Sequence, residues 1–188
     1  MLLFGVAIVL MVGLGVWCLG RIRREYRHAQ QLSALSVAFV WGLYLLHFSI
    51  TVAASIVAAW PISLHPIISW GAGIMLLLAG TVVFLAGIWS FQSFKRMSGL
   101  DNSKLVTTGI YQWSRNPQNV GWFLFLLGTA VLGQSGFALL LAGLFWSLFV
   151  FYVRLEEQYL ERVFGDKYHR YMQWSHRYFG PPRKQSQI

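Results

Sequence analysis

Hydrophobic residues fall into five long runs, at about residues 1 to 20, 34 to 60, 66 to 91, 118 to 133 and 136 to 153. A helix rises about 1.5 Å per residue, so a span of about 20 apolar residues crosses a bilayer. The runs therefore predict an all-α, polytopic membrane protein with about five transmembrane helices. Only Gly133, Gln134 and Ser135 separate the last two runs, which predicts a tight helical hairpin.

The polar connections divide a single membrane domain, residues 1–188, into two parts. Residues 1–91 hold the first three predicted helices. Residues 92–188 hold a polar loop, the helical hairpin and a cytoplasmic, helical C-terminal segment. Glycines seven residues apart on the third and fourth helices predict close helix packing. These glycines are Gly73, Gly80 and Gly87, then Gly121 and Gly128.

Composition supports a membrane protein, because 56% of the residues are hydrophobic and only 11% are charged. The single cysteine, Cys18, excludes an intramolecular disulfide and a cysteine metal cluster. The five histidines lack metal-ligand spacing, so we expect no metal site. We expect His47, inside the second run, to be a satisfied hydrogen-bond donor.

The net charge of +9 is sorted by position along the chain. The basic residues follow the first helix, lie between the third and fourth, or follow the fifth: Arg21, Arg23, Arg24, Arg27; Lys95, Arg96, Lys104, Arg115; Arg154, Arg162, Lys167, Arg170, Arg177, Arg183, Lys184. The other connections, residues 61–65 and 133–135, carry none. The positive-inside rule predicts an external N-terminus and a cytoplasmic C-terminus. The basic excess indicates topology and contact with anionic lipid, with no nucleic-acid partner. Because no basic residue precedes the first run, we expect a retained helix and not a signal peptide.

A polar stretch, residues 105–121, stands between two of the membrane helices. Such residues are costly unless they pair or bind something, which favours a functional site. Asn116 before Pro117 is typical of an N-cap and a helix start. The N–H groups of that helix start, with Arg115 beside them, suit a carboxylate. An ordinary loop with a capped helix explains the same residues.

Glu156 and Glu157 are expected at the cytoplasmic end of the fifth helix, where the helix dipole disfavours negative charge. Arg154 and Arg162 provide one explanation, by neutralising them. In the alternative, one carboxylate binds an ammonium or sulfonium. Together with a helix N-terminus for a carboxylate, it would hold a zwitterionic amino-acid group such as that of S-adenosylmethionine.

These residues resemble a family of membrane-embedded methyltransferases. The family is typified by isoprenylcysteine carboxyl methyltransferase and phosphatidylethanolamine N-methyltransferase. The resemblance covers residues 104–171, and the earlier helices share only hydrophobicity with the family. The matching positions are Leu105, Val106, Gly109, Ile110, Tyr111, Arg115, Asn116, Pro117, Gly121, Glu156, Glu157, Leu160, Phe164, Gly165, Tyr168 and Tyr171.

The resemblance implies a cytoplasmic pocket for the cofactor S-adenosyl-L-methionine, with a lipid-like or lipidated substrate entering from the bilayer. The implied cofactor residues are Lys104, Leu105, Val106, Gly109, Tyr111, Arg115, Asn116, Pro117, Gln118, Asn119, Gly121, Glu156 and Glu157. Two positions depart from the family pattern. Asn119 stands where both branches usually have Tyr, and Tyr152 stands where the isoprenylcysteine branch has an Arg for the substrate carboxylate.

Direct displacement needs no protein nucleophile, so the implied chemistry depends on positioning and desolvation. An amine acceptor must arrive neutral, and Glu157, Tyr152 and His169 are the candidates for removing its proton. A noncatalytic membrane scaffold or sensor is an alternative, in which the aromatic tail forms an interfacial helix. A transporter is a weaker alternative, because no charged residue lies in the middle of a predicted span.

Overall fold

The computed structural model describes residues 2–29, 31–101 and 103–183, and Lys184 lies outside these ranges. Seven α-helices are present in the described residues: α1 (Leu2–His28), α2 (Ala34–Ile56), α3 (Gly73–Phe91), α4 (Phe94–Met97), α5 (Pro117–Leu132), α6 (Gly136–Phe164) and α7 (Asp166–Trp174). A π-helical segment, Ile67–Ala72, leads into α3, and a 3₁₀ turn, Gly109–Gln112, precedes α5. The prediction of an all-α protein is confirmed.

Four helical segments are long and apolar enough to cross a membrane: Gly5–His28, Ala34–Ile56, Ile67–Phe91 and Gly136–Phe164. The remaining predicted span, α5, is shorter, and its 16 residues correspond to a rise of about 24 Å. The chain is thus a multi-pass membrane protein.

Three helix ends differ from the predicted ones. α1 continues to His28 and α6 to Phe164, because helices do not stop where the apolar run stops. α6 stops at Phe164 because the next residue, Gly165, has a φ of +52°, outside the right-handed helical region. α2 ends at Ile56 and not at residue 60, since Ala58 and Trp60 adopt positive φ.

The predicted hairpin of α5 and α6 is confirmed. Ser135 caps α6, its Oγ accepting the Ala138 N–H at 3.1 Å. The turn also meets the connection after α2, where the Ile62 N–H donates to the Gln134 carbonyl at 2.9 Å. The two connections that carry no basic residue therefore lie at the same end of the helices.

α3 packs chiefly against α5 through the glycines seven residues apart. A Cβ on Gly80 would lie 2.6 Å from the Gly121 carbonyl oxygen, and one on Gly121 would lie 2.7 Å from the Gly80 carbonyl oxygen. Two turns further along α5, a Cβ on Gly128 would lie 2.8 Å from the Gly73 carbonyl oxygen. The opposite face of α3, with Leu78, Val82 and Trp89, is exposed as expected for contact with lipid. Close packing by these glycines is confirmed.

α1, α2 and α6 form the other half of the helix bundle. A buried cluster ties them together near the end that carries the basic residues, with members from all three: Cys18, Ile22, Tyr26, Leu32, Val37 and Tyr159. Between this cluster and the α3–α5 pair lies the cavity described below.

Replacing Gly121 by Ala should destabilise the protein, because its Cβ would lie 2.4 Å from the Phe84 backbone nitrogen. Overpacking of this kind costs about 1 to 3 kcal/mol. Thermal unfolding in detergent measures the effect. Gly143→Ala is the matched control, since nothing lies within 4 Å of a Cβ there. Equal melting temperatures for the two variants would contradict the α3–α5 contact.

Candidate functional site

A cavity of about 270 Å³ lies between the helices, and its lining extends to the basic loop residues Arg96 and Lys104. Most of the predicted site residues line it: Lys104, Leu105, Val106, Tyr111, Arg115, Asn116, Gln118, Asn119, Tyr152, Glu156 and Glu157. Residues from the polar loop, the start of α5 and α6 thus meet around one space, although 35 or more positions separate the loop from Glu156 along the chain.

Three predicted cofactor residues do not line the cavity: Gly109, Pro117 and Gly121. Gly109 has φ +63°, so its place in the motif is explained by a turn that favours glycine. Pro117 forms the buried first turn of α5, as predicted. Gly121 faces α3, where it allows close helix packing, and its assignment to the cofactor site stays a prediction.

α5 begins well below the C-terminal end of α6. Arg115, two residues before α5, contacts Glu157, which lies seven residues before the end of α6 at Phe164. Seven residues correspond to about 10 Å of helix rise. The shortness of α5 therefore places the polar loop inside the bundle.

Asn116 occupies the N-cap position of α5, but its side chain does not cap the helix. Its amide Nδ2 instead donates to the Arg177 carbonyl at 3.0 Å, and its own N–H donates to Ser114 Oγ at 3.0 Å. The predicted side-chain cap is not formed, because the Asn116 side chain turns toward the tail, and its oxygen does not accept from the first N–H groups of α5.

Glu157 is the most completely engaged carboxylate of the site. Its Oε1 accepts from Arg115 Nε at 3.0 Å and Nη2 at 2.8 Å. Its Oε2 accepts from Arg177 Nε at 2.9 Å and lies 2.6 Å from Nη2. The Glu157 side chain is only 7% exposed, and each arginine directs two nitrogens, Nε and Nη2, at one of its two oxygens. We call these three side chains the arginine clasp.

The clasp corrects three expectations. Glu156 and Glu157 lie two turns inside α6, so the helix dipole, which acts on the last turn, does not bear on them. Glu157 is neutralised by Arg115 and Arg177 and not by Arg154 or Arg162. Because its four hydrogen-bond positions are filled, Glu157 is poorly placed as a proton acceptor or an ammonium anchor.

Arg115 is likewise engaged by protein groups. Besides Glu157, its Nη1 donates to the Ser175 carbonyl at 2.7 Å. Its backbone N–H donates to the His176 carbonyl at 2.8 Å. Arg115 therefore joins the loop to the tail, and it is not the free anion-binding cation that the sequence favoured.

The tail after α7, residues 175–183, runs back along the loop that precedes α5. The Gly180 N–H donates to the Trp113 carbonyl at 3.0 Å, and the Trp113 and Phe179 rings stack with centroids 6.1 Å apart. Arg177 is the residue of this tail that reaches the site. Its hydrogen bond to Glu157 raises the pKa of the Arg177 guanidinium further, so it stays charged. Sequence patterns gave no signal for this role.

Three buried tyrosines close the loop against α7: Tyr111, Tyr168 and Tyr171. The Tyr171 hydroxyl donates to the Tyr111 carbonyl at 2.8 Å. Burial raises the pKa of all three phenols, so they are neutral hydrogen-bonding and packing groups. The interfacial-helix interpretation of the tail is wrong for Tyr168 and Tyr171, because they face the protein and are 1% and 3% exposed.

Glu156 lies on the side of α6 that lines the cavity, and it forms no ion pair with an arginine of the described residues. Tyr152 lies one turn earlier on the same helix, and both side chains line the cavity. Glu156 makes none of the ion pairs found among the described residues, so its carboxylate retains the capacity to accept from a cationic ligand group.

The contribution of α1 and α2 to the cavity was not predictable from the sequence. Tyr44 donates a hydrogen bond from its hydroxyl to Asn119 Oδ1, which joins α2 to α5. His47 lines the same cavity, and its Nε2 lies 3.0 Å from the Leu141 carbonyl, in agreement with the expected donor role. Both residues lie inside apolar runs, so only the three-dimensional structure reveals them. As for metals, the described residues contain no cluster of three or more His, Cys, Asp or Glu side chains suited to a metal ion.

The family model described as phospholipid methyltransferase matches residues 68–167, just over half of the chain. The chain belongs to the phospholipid methyltransferase family. The match confirms the family that the motif residues indicated, and it begins earlier than expected because it includes α3. It does not include α1, α2 or Arg177.

Curated relatives named protein-S-isoprenylcysteine O-methyltransferase are similar to part of the chain. The Schizosaccharomyces pombe protein is 39% identical over 84 residues, covering 43% of this chain and 36% of the relative. The Xenopus laevis protein is 33% identical over 106 residues, which cover 53% of this chain and 36% of the relative. The B form of Arabidopsis thaliana is 33% identical over 98 residues, which cover 52% of this chain and 49% of the relative. The chain thus spans about a third to a half of the length of these relatives. No solved structure matches it.

Replacing Arg177 by Ala should loosen the tail, because the carboxylate of Glu157 would keep only Arg115. Arg177 is 43% exposed on its side chain, so we expect a stability loss of about 1 kcal/mol rather than the larger cost of a fully buried pair. Backbone amides of residues 176–180 should exchange hydrogen faster. Arg170→Ala, at an exposed position on α7, is the control. Unchanged exchange in the Arg177 variant would show that the clasp does not hold the tail.

Proposed function

We propose that the protein transfers the methyl group of S-adenosylmethionine to a lipid-like or lipidated acceptor that enters from the bilayer. One observation carries the proposal. A single cavity joins the polar loop, the start of α5 and Glu156 to an apolar channel between α1, α2 and α6. A polar cofactor and an amphipathic acceptor would therefore share one space.

The residues around the cavity fit the parts of the cofactor. Glu156 provides a carboxylate for the amino group, and the N–H groups at the start of α5 suit the carboxylate of the methionine part. Leu105, Val106 and Tyr111 provide an apolar, aromatic wall for the adenosine. Asn116 and Asn119 are already bonded to Arg177 and Tyr44, which fixes their orientation and leaves part of each amide group for the ligand.

The bound cofactor supplies an electrophilic methyl group on a sulfonium. The acceptor's lone pair would form the new bond to the methyl carbon while the S–CH₃ bond breaks and its electron pair stays on sulfur. The protein's contribution is to hold the two in line and to exclude water. The clasp serves this purpose indirectly, because it fixes the loop from which Asn116 and the start of α5 project.

A carboxylate acceptor needs no proton removal, whereas an amine must lose a proton. Of the residues that the sequence suggested, Glu157 is filled by two arginines and His169 does not line the cavity. Tyr152, beside Glu156, is the candidate that faces the cavity. The acceptor atom is left open among oxygen, nitrogen and sulfur.

Replacing Glu156 by Gln should weaken cofactor binding about 10- to 100-fold, which is the worth of a charge-assisted hydrogen bond. Calorimetry with S-adenosylmethionine and with its demethylated product measures the loss. Glu161→Gln, on the same helix and away from the cavity, should bind normally. Equal affinity in the two variants would remove Glu156 from the site, and absence of binding to the unmodified protein would overturn the proposed function.

The reaction itself is tested by incubating membranes that contain the protein with methyl-labelled cofactor. Label should appear in a lipid-extractable or lipidated product, and Glu156→Gln should lower its amount in parallel with cofactor affinity. Identification of the labelled molecule names the acceptor. Label that appears equally in membranes lacking the protein would contradict enzymatic transfer.

We also propose an external N-terminus and a cytoplasmic C-terminus, so that the cavity mouth meets cytoplasmic cofactor. The distribution of basic residues supports this orientation. Contact between residues 57–66 and 133–135 supports it as well, because the two uncharged connections share one end.

A cysteine at position 63 should react with an impermeant reagent outside intact cells, and one at position 103 should be protected. Ser63 and Ser103 are both exposed, whereas Ser135 is buried and would be a poor reporter. Native Cys18 is buried and serves as the background control. External labelling at position 103 alone would reverse the orientation.

A further inference from the structure

α2 and α3 both line the cavity, but they are not direct packing partners in the described part of the chain. α2 packs against α1, α5 and α6, whereas the main partner of α3 is α5. The cavity lining includes Trp41 and Tyr44 from α2, and Phe84, Ile88 and Phe91 from α3. One side of the cavity therefore lies between two helices that do not close it by packing on each other.

Aromatic rings link α2 to α3 at one edge of this side. Trp122, in the second turn of α5, lies between Phe48 of α2 and Phe84 of α3, with ring centroids 5.6 and 5.3 Å away. α5 and its tryptophan therefore fill the space between α2 and α3 at the level of Phe48.

A second aromatic link lies nearer the start of α2. The Trp41 ring stacks on Phe94 of α4, with centroids 5.9 Å apart. The segment that begins with α4 then reaches the connection between α1 and α2, where a Cβ on Gly99 would lie 3.4 Å from Leu32 Cδ1. We call residues 94–100 the roof, because they cross the cavity on the side of the basic residues.

The two aromatic links frame an opening between α2 and α3. Residues 41–48 of α2 and residues 84–91 of α3 each correspond to about 10 Å of helix rise. We call the space between these two segments the window. Within it, Ile88 lines the cavity, while Leu85 and Trp89 on the same helix are 55% and 82% exposed. The cavity and the lipid-facing surface of α3 therefore adjoin at the window.

We propose that the apolar chain of the acceptor enters the cavity through the window, and that the Trp41–Phe94 stack is its gate. The occupant is a hydrocarbon chain of a membrane amphipath. Residues 41–48 and 84–91 include no Asp, Glu, Lys or Arg, so such a chain passes between them without meeting a charge. Trp41 and Phe94 control entry and take no part in the transfer step.

The gate lies at the edge that is easier to open. Trp122, at the other edge, contacts rings on α2 and α3 at once and is part of a 16-residue helix. Phe94 is 60% exposed and belongs to a helix of four residues. Gln92 and Gly99, on either side of that helix, have φ of +53° and +73°. Hinges are commonly a few residues at the ends of elements, so rotation there would separate Phe94 from Trp41.

This inference rests on the proposed function for the identity of the entering molecule as the acceptor, but entry is measured without turnover. The probes are hexadecanoic acid and hexadecylamine, each with a diazirine at the end of the chain, in phosphatidylcholine vesicles that contain the full-length protein. After illumination, mass spectrometry locates the adducts. Adducts on Leu144 and Leu148 report entry, because both line the cavity, and adducts on exposed Val82 report contact with bulk lipid.

The gate is closed by a tether between Trp41→Cys and Phe94→Cys, made with a short, reducible bis-methanethiosulfonate in a Cys18→Ala background. The tether should abolish adducts on Leu144 and Leu148 and leave those on Val82, and a reductant should restore them. The matched control is a tether between Trp17→Cys and Phe39→Cys. These rings are 5.0 Å apart and also join α2 to a neighbouring helix, but neither residue lines the cavity.

Opening of the gate is tested by Phe94→Ala, which removes the stack. Cavity adducts should form about 2- to 10-fold faster, which is the worth of one aromatic pair in an opening equilibrium. Phe39→Ala removes a comparable pair on the lipid side of α1 and α2 and should leave the rate unchanged. Equal rates for Phe94→Ala and the unmodified protein would show that the stack is not a gate.

The remaining outcomes separate the window from the proposed function. Cavity adducts that persist with the tether between positions 41 and 94, or that vanish equally with the control tether, would overturn entry through the window. Calorimetry with S-adenosylmethionine on the same samples should show normal binding in both tethered proteins. Loss of that binding only with the tether between positions 41 and 94 would overturn a gate that serves the acceptor. Absence of binding to the unmodified protein would refute the proposed function and leave the entry of apolar chains standing.

Discussion

Glu157 is a carboxylate enclosed by helices, and its charge has to be balanced by protein groups. Two arginines do this, one from the loop before α5 and one from the tail after α7. Three segments that are distant in sequence thereby meet at one carboxylate. Removing one partner of such a buried pair leaves an uncompensated charge, which costs more than the pair itself contributes. The position of the loop, and with it the mouth of the cavity, depends on this interaction.

The clasp also separates the roles of two adjacent acids. Neighbouring residues on a helix point about 100° apart, so Glu157 meets the two arginines whereas Glu156, which lines the same cavity, does not. Only one of the two is left with free acceptor positions. The short length of α5 also matters for the site. A longer α5 would begin nearer the C-terminal end of α6, beyond Glu156, and its first turn would then lie outside the cavity.

The helices and the family were predictable because long apolar runs and a dense motif are local properties of the chain. The ends of α1 and α6 were not, since charged residues such as Arg21 and Glu161 continue a helix beyond the bilayer without any break in backbone geometry. Glu156 and Glu157 were recognised as a pair, but their different contacts were not predictable. Which of the two meets Arg177 depends on which face of α6 the tail contacts. Arg177 and Tyr44 carried no local signal, because one is among many basic residues and the other lies within an apolar run. His47 was recognised as a hydrogen-bond donor, but its position at the cavity was not predictable from an apolar run.

The two walls of the cavity come from different parts of the chain. The loop, α5 and α6 lie within the segment shared with the family, whereas α1 and α2 lie outside it. Substitutions in α1 or α2 therefore reshape one wall of the cavity without touching Glu156, Asn116 or the clasp. Under the proposed function, the acceptor side of the cavity could then change while the residues proposed to hold the methyl donor stay in place.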